Sequence, residues 1–386
     1  MQLSPSTRPL ACLLAAACLL GPAVTSAGVL PEDRADLMYH YYDGGGVTID
    51  GPSVLVRKKF AEKYAVSASY YVDMVSSASI DVVTRASPYS EERTQYGLGV
   101  EYLRDKVTYA ASFSNSKEND YNADTTSFSI SQDMFGDLTT VALSFSRGQD
   151  DVMRRGTSSF REQVDRRIYG IDVSQIASRK LILGLSFETI SEEGFLNNPY
   201  REVRYCVTSQ CLDYDYEFER YPRTRTGNAF AVRGRYYLPY RAALQGDYRW
   251  YTDTWDINSH TFEVAYTQPV GERLTLDAHY RFYTQNSADF YSDLFPRQNA
   301  QNFLARDKEL AAMSSHTVGF GVAYEFRIPG IGFVDKTTVN LRYDRMQFSY
   351  DEFRDLRPTG TASQPGTEPL YKFGANVVRL FFSGWF

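Results

Sequence analysis

Apolar and polar residues alternate with period two along most of this chain. In Tyr96-Gly97-Leu98-Gly99-Val100-Glu101-Tyr102 the apolar members share one face, while Gly97, Gly99 and Glu101 share the other. The next segment repeats the pattern, with Val107, Tyr109, Ala111 and Phe113 opposed to Thr108, Ala110, Ser112 and Ser114. The same rhythm returns at Leu181–Phe187, Leu244–Trp250, Leu274–Phe282 and Val318–Phe326. A helix would need a period of 3.6, so these are strands. A soluble sandwich also alternates, but here the apolar face ends in aromatics and the other face is small or charged, which suits lipid outside and water inside.

The connections alternate in length, as a membrane barrel requires. Short turns are expected at Glu62-Lys63, Arg104-Asp105, Gly136-Asp137, Ser178-Arg179, Pro239-Tyr240 and Val270-Gly271-Glu272, with a slightly longer one over Pro329 to Gly332. Long connections are expected over Ser76 to Glu92, Arg147 to Gln163, Ser191 to Thr226, Asn286 to Ser315 and Asp351 to Leu370. The fold class is therefore all-β, a transmembrane antiparallel up-and-down β-barrel with short periplasmic turns and long extracellular loops. About sixteen strands are expected, with about fourteen as the fallback because the first hairpin is interrupted by Gly44, Gly45, Gly46 and Pro52. At the C-terminus Val378, Leu380, Phe382, Gly384 and Phe386 alternate up to a terminal aromatic, which resembles the signal read by the outer-membrane assembly machinery.

Residues 1–27 have the layout of a secretory signal: Arg8, an apolar stretch from Leu10 to Val24, then Thr25, Ser26 and Ala27, with cleavage expected after Ala27. Lipidation at Cys18 is the rival layout, but it would leave the apolar Leu19–Val24 stretch on the mature chain. Residues 28–386 form the barrel. No other segment has the run of apolar residues that a spanning helix needs. Tyrosine, the residue suited to a lipid–water boundary, is abundant at 30 of 386 residues. Removing Arg8, the only charge before residue 28, takes the formal net charge from -6 to -7, which argues against nucleic acid as a partner. The expected contacts are outer-membrane lipid, lipopolysaccharide and the barrel assembly machinery.

The inward face changes along the chain. Its earlier part is small and polar, as at Ser67, Ser69, Ser127, Ser129, Ala142 and Ser144. The later part carries Arg233, Arg235, Asp247, Arg249, Glu263, Asp277, His279, Arg281, Glu325, Arg327, Arg342 and Asp344, all expected to line the lumen. Two readings stand side by side. These charges form a structural network holding the wall, or Arg233, Arg235, Arg249 and Arg281 line a constriction selective for anions.

Catalysis is not expected. The four histidines, His40, His260, His279 and His316, form no close metal pair, and no serine or acid is spaced to complete a triad with His279. Cys206 and Cys211, left in an oxidising compartment, are expected to form a disulfide. The acidic run Asp213 to Glu219 reads as an extended strand above the membrane more simply than as a cation site, so no metal and no cofactor is assigned. The loop over Asp289 to Met313 carries a helix-like pattern of Phe303, Leu304, Leu310 and Met313 and is expected to fold into the mouth or over its rim.

Several stretches resemble the proteobacterial outer-membrane family known as domain of unknown function 3570: Ser76 to Arg93, Tyr236 to Ala243, Asp289 to Arg297, Asn302 to Leu310 and Val377 to Phe386. The resemblance implies an outer-membrane barrel encoded beside a thioredoxin-like protein, a small lipoprotein and a flavin-transferring enzyme. A periplasmic redox partner is thus implied, with no functional residue to carry over. The expected function is a passive channel or export conduit for small polar or anionic solutes; the alternative is a closed scaffold that anchors such a redox partner.

Overall fold

A computed structural model describes residues 28–77, 89–329, 332–357 and 364–386. The expected leader, most of the Ser76–Glu92 connection and parts of the last turn and last loop lie outside the described residues.

Among the described residues eighteen strands follow in chain order. They begin with β1 (Arg34–Gly44), β2 (Val47–Phe60), β3 (Tyr64–Ser77), β4 (Tyr89–Arg104), β5 (Val107–Lys117) and β6 (Tyr121–Met134). Next come β7 (Thr139–Met153), β8 (Arg161–Ser178), β9 (Leu181–Gly194), β10 (Glu202–Cys206), β11 (Tyr214–Phe218) and β12 (Thr224–Tyr237). The last are β13 (Ala243–Asp253), β14 (Asn258–Val270), β15 (Leu274–Gln285), β16 (Met313–Phe326), β17 (Lys336–Arg354) and β18 (Leu370–Trp385). Sixteen of them close an antiparallel barrel in which β9 is followed directly by β12 and β1 pairs with β18. β10 and β11 form a separate two-stranded hairpin in the longest connection.

The start of β1 and the end of β18 therefore meet at one rim, where the Phe386 amide donates to the Asp33 carbonyl at 3.3 Å. The first hairpin is intact: Gly45 and Gly46 take φ of 60° and 79°, the left-handed conformations a tight two-residue turn demands. Pro52 sits within β2, and the sixteen-strand reading holds. Because β1 and β2 meet in that tight turn, the first outward connection is short. The expected Arg147–Gln163 loop is largely strand, since β7 runs into it as far as Met153 and β8 begins at Arg161.

One face of the wall is apolar and uncovered by protein: Leu98 is 59%, Phe128 54%, Val264 52% and Phe320 59% exposed. Such a band is stable only against hydrocarbon. Tyrosines border it, and near the short-turn end Tyr64 stacks on Tyr102 at 5.0 Å and Tyr102 on Tyr109 at 6.1 Å. Aromatic rings with polar tips suit this lipid–water boundary. The buried apolar core lies at the opposite end, where the long connections meet the barrel mouth.

Candidate functional site

Register turns the alternating charges into rows across the inner wall. Arg233 on β12 stands opposite Asp247 on β13, Asp247 opposite Glu263 on β14, and Glu263 opposite Arg281 on β15. Arg233 pairs with Asp172 on β8, two strands away in the barrel. Arg249 approaches Glu188 at 3.4 Å, and Arg235 donates to Gln245, which in turn donates to Asp247 at 2.8 Å. Three arginines of the expected selective ladder thus have partners. Arg281 is exposed, and no ion pair from it occurs among the described residues.

A second row crosses β15 to β18. Arg342 reaches Asp277 at 2.8 Å, passing over Gly321, where an added Cβ would stand 2.2 Å from Asp277 Oδ2. One step outward, His279 Nε2 lies 3.3 Å from Asp344 Oδ1 across Gly319, while Arg379 on β18 pairs with Asp344 at 2.5 Å. Glycine is required at both crossings so that side chains on strands β15 and β17 can meet over the intervening backbone. Arg379 stands opposite His40, whose Nε2 lies 2.7 Å from Asp73 Oδ1; Arg93 closes that group at 2.6 Å from Asp73.

Asp172, Glu188, Asp73, Arg93, Arg379 and His40 belong to this inner face but are absent from the set read from the later strands. The signal was present, since Arg379 lies between Val378 and Leu380 of the alternating tail. One expected position sits differently: Arg327 lies one residue beyond the end of β16, in the connection at the short-turn end, while Glu325 keeps the inward phase of β16 and is exposed near that same rim. The opposite wall is small and open: Ser112, Ser129 and Ser144 are exposed on the inner face.

Above these rows the mouth is filled. Phe290, Tyr291, Ala305 and Leu310 from the 286–312 connection pack with Tyr42, Ile49, Phe348 and Val377, which point inward from β1, β2, β17 and β18. Trp255 from the β13–β14 connection and Tyr221 meet Phe290 with ring centroids 5.2 and 5.4 Å away. The expected helix-like segment is only a single 3-10 turn, Lys308–Leu310, because Leu304 and Leu310 are buried by different neighbours while Phe303 stays 43% exposed. Met313 already belongs to β16.

Ion pairs hold this cap together. Arg204 on β10 is fully buried; it donates to Glu368 at 2.6 Å, to the Asp293 carbonyl at 2.9 Å and to the Asp293 carboxylate. Arg306 also reaches Asp293 at 2.9 Å, and its amide donates to Glu219 at 2.7 Å. Arg201 pairs with Asp307. Burial is the largest single influence and would raise the Glu368 carboxyl, but the hydrogen bonds and charge of Arg204, together with hydrogen bonds from the Glu368 and Gly366 backbone, outweigh it and hold that carboxyl below its ordinary value. Burial pushes the Tyr221 hydroxyl far above its ordinary range, so it stays protonated and donates to Glu219 at 2.7 Å.

The Cys206–Cys211 disulfide closes the end of the β10–β11 hairpin, and the acidic run is extended, as β11. On the far side Tyr200 donates to Asp120, between β5 and β6, at 2.6 Å. The cap is thus tied to the wall at Asp120 and again at Glu368, between β17 and β18. Among the described residues Glu91, Glu118 and Asp120 bring carboxylate atoms within 4.8 Å of one another, beneath the Tyr200 tie.

A closed sixteen-strand barrel with an outward apolar band, a polar interior and both ends at the short-turn rim is an integral protein of the bacterial outer membrane. The chain belongs to the family described as Protein of unknown function (DUF3570), whose sequence model matches residues 79–352. No curated protein matches it in sequence. Among solved structures it is similar to a bacterial polysaccharide outer membrane secretin, at 9% identity and a TM-score of 0.48 over 92% of this chain and 100% of that one. It is also similar to a Pseudomonas aeruginosa FadL homologue, at 11% identity and a TM-score of 0.45 over 93% and 92% of the two chains. A third is the CymD monoaromatic hydrocarbon channel, at 8% identity and a TM-score of 0.45 over 96% and 93%. At these identities the likeness concerns the barrel and carries nothing about cargo.

Proposed function

We propose that this protein is a non-enzymatic outer-membrane conduit for small polar or anionic solutes, kept shut at its outer mouth by the folded cap. The observation that carries this reading is the span of the cap between Asp120 and Glu368, tie points separated around the barrel by β5, β4, β3, β2, β1 and β18. Beneath it, the serine-rich wall and the exposed Arg281 offer a wet path with a local preference for anions. Opening then means displacing the cap, not widening the barrel.

Conductance across a planar bilayer tests this, comparing the mature chain with a variant in which residues 287–312 are replaced by a short Gly-Ser linker. Rare openings of the mature chain and steady current through the variant are expected. Steady current through the mature chain would refute the closed mouth. Silence of both, with the variant folded by its mobility on unheated gels, would refute the conduit.

That last outcome would favour a scaffold for a periplasmic or surface redox partner. Val207 and Leu212, both exposed beside the disulfide, support the surface form of that second reading.

A further inference from the structure

The segment before β1 does not leave the barrel. Asp33 is fixed to β2, where Lys58 Nζ donates to one carboxylate oxygen at 2.6 Å and the Lys59 amide to the other at 2.6 Å. From there the chain runs back toward β6: a Cβ built on Gly28 would lie 3.2 Å from Asp133 Oδ2. With standard bond lengths, the Gly28 nitrogen stands within ~6 Å of that oxygen. In the barrel, β3, β4 and β5 separate the strands on which Asp33 and Asp133 are held.

Burial traces the same path. Leu30 is 4% exposed although no strand contains it, and along the short-turn end of the inner face Ala65 is 2%, Ser131 8% and Asp133 8% exposed. One step further along the same face, Ser129 is open to the lumen. Thr140 donates to Asp133 Oδ1 at 2.6 Å, so the other oxygen is the one facing Gly28. A carboxylate with so little water around it calls for a counter-charge.

We propose that Asp133 is the receptor for the mature amino terminus: hydrolysis of the Ala27–Gly28 peptide bond by a leader peptidase creates an α-ammonium group on Gly28 that pairs with Asp133 and locks residues 28–33 along the inner periplasmic wall. Water adds across the peptide bond; Ala27 keeps the new carboxylate, and the nitrogen of Gly28 takes protons to become the cation. An opposite charge within ~4–6 Å favours the charged form of an amine, so the pair stabilises the ammonium over the free base. The uncleaved chain has no charge at this nitrogen, and removal of the leader is therefore coupled to completion of the periplasmic rim.

The test begins with N-terminal sequencing of the chain from outer membranes; Gly28 is expected, and any other first residue overturns the proposal. Labelling of the α-amine by an amine-reactive reagent then reads the pair directly. At pH 6.5, below the ordinary α-amine range, the folded mature chain is expected to label ~10-fold more slowly than its Asp133→Asn variant, as for an amine raised by about one pH unit. A second variant keeps Asp133 but adds one serine before Gly28, which moves the amine by roughly 3.5 Å, and it is expected to label at the faster rate. Equal rates for the mature chain and the serine-extended variant would overturn the pairing, whatever Asp133→Asn does to folding.

Discussion

Arg204 is the residue on which the cap most depends. Its guanidinium fork satisfies two carboxylates from different connections while wholly shielded from water. Truncation to alanine takes the guanidinium away from the Glu368 carboxylate and leaves Asp293 to Arg306 alone, and breaking a buried pair in this way costs about 3–5 kcal/mol. Arg204→Ala is therefore expected to expose the 286–312 connection to limited proteolysis while the barrel keeps its mobility on unheated gels. The same contact gives the cap a pH dependence. Glu368 is held below its ordinary value in the folded cap, so this stabilisation is complete above the ordinary glutamate range and is lost as pH falls through the lowered value. Cap proteolysis followed from pH 7 to pH 3 should accelerate only at the acid end, and Glu368→Gln should remove that dependence. Gly321 makes a comparable demand deeper in the lumen. Gly321→Val is expected to push Asp277 away from Arg342, and in the cap-less variant the freed arginine should move the reversal potential toward anion selectivity.

At the scale of elements, the β10–β11 hairpin connects the cap to the rest of the outer face. Its backbone joins the 286–312 connection where the Cys206 amide donates to the Phe295 carbonyl and the Phe295 amide to that of Arg204, both at 2.9 Å. The disulfide closes a loop of few residues and so contributes ~2 kcal/mol by restricting the unfolded hairpin. Replacing Cys206 and Cys211 with serine should loosen the hairpin, seen as faster cleavage between residues 206 and 214, without changing the thermal unfolding of the barrel. The pairing of the two cysteines and the extended acidic run were both legible, because closeness in sequence and strict alternation are local properties. The placement of Leu304 and Leu310 was not. Their spacing suits a helix, but each is buried by residues more than eighty positions away or by inward side chains of β1, β17 and β18, and those contacts override the local pattern.

For the whole molecule, closure and capping have different origins. Sixteen barrel strands and the inward or outward sense of nearly every strand residue follow from period-two patterning, which works through nearest neighbours along the chain, whereas the outward connections β1–β2, β5–β6 and β13–β14 are short. The sequence by itself therefore determined an outer-membrane barrel, the phase of its lipid face and the presence of opposite charges on the lumen side. Only the tertiary structure decided which of those charges meet. Arg379 with Asp344 depends on the register of the neighbouring strands β17 and β18, while Arg233 with Asp172 and Arg342 with Asp277 also depend on Gly184 and Gly321, which let side chains cross an intervening strand. It also decided that the mouth is filled and that the segment from Gly28 reaches Asp133, since both require closing the barrel before the distant parts come within contact distance. Alternation specifies a face but carries no term for the partner across the lumen, and that is the physical reason the sequence left a charge network and an arginine ladder side by side, while in the folded protein Arg233 and Arg249 meet carboxylates, Arg235 meets Gln245, and no ion pair from Arg281 occurs among the described residues.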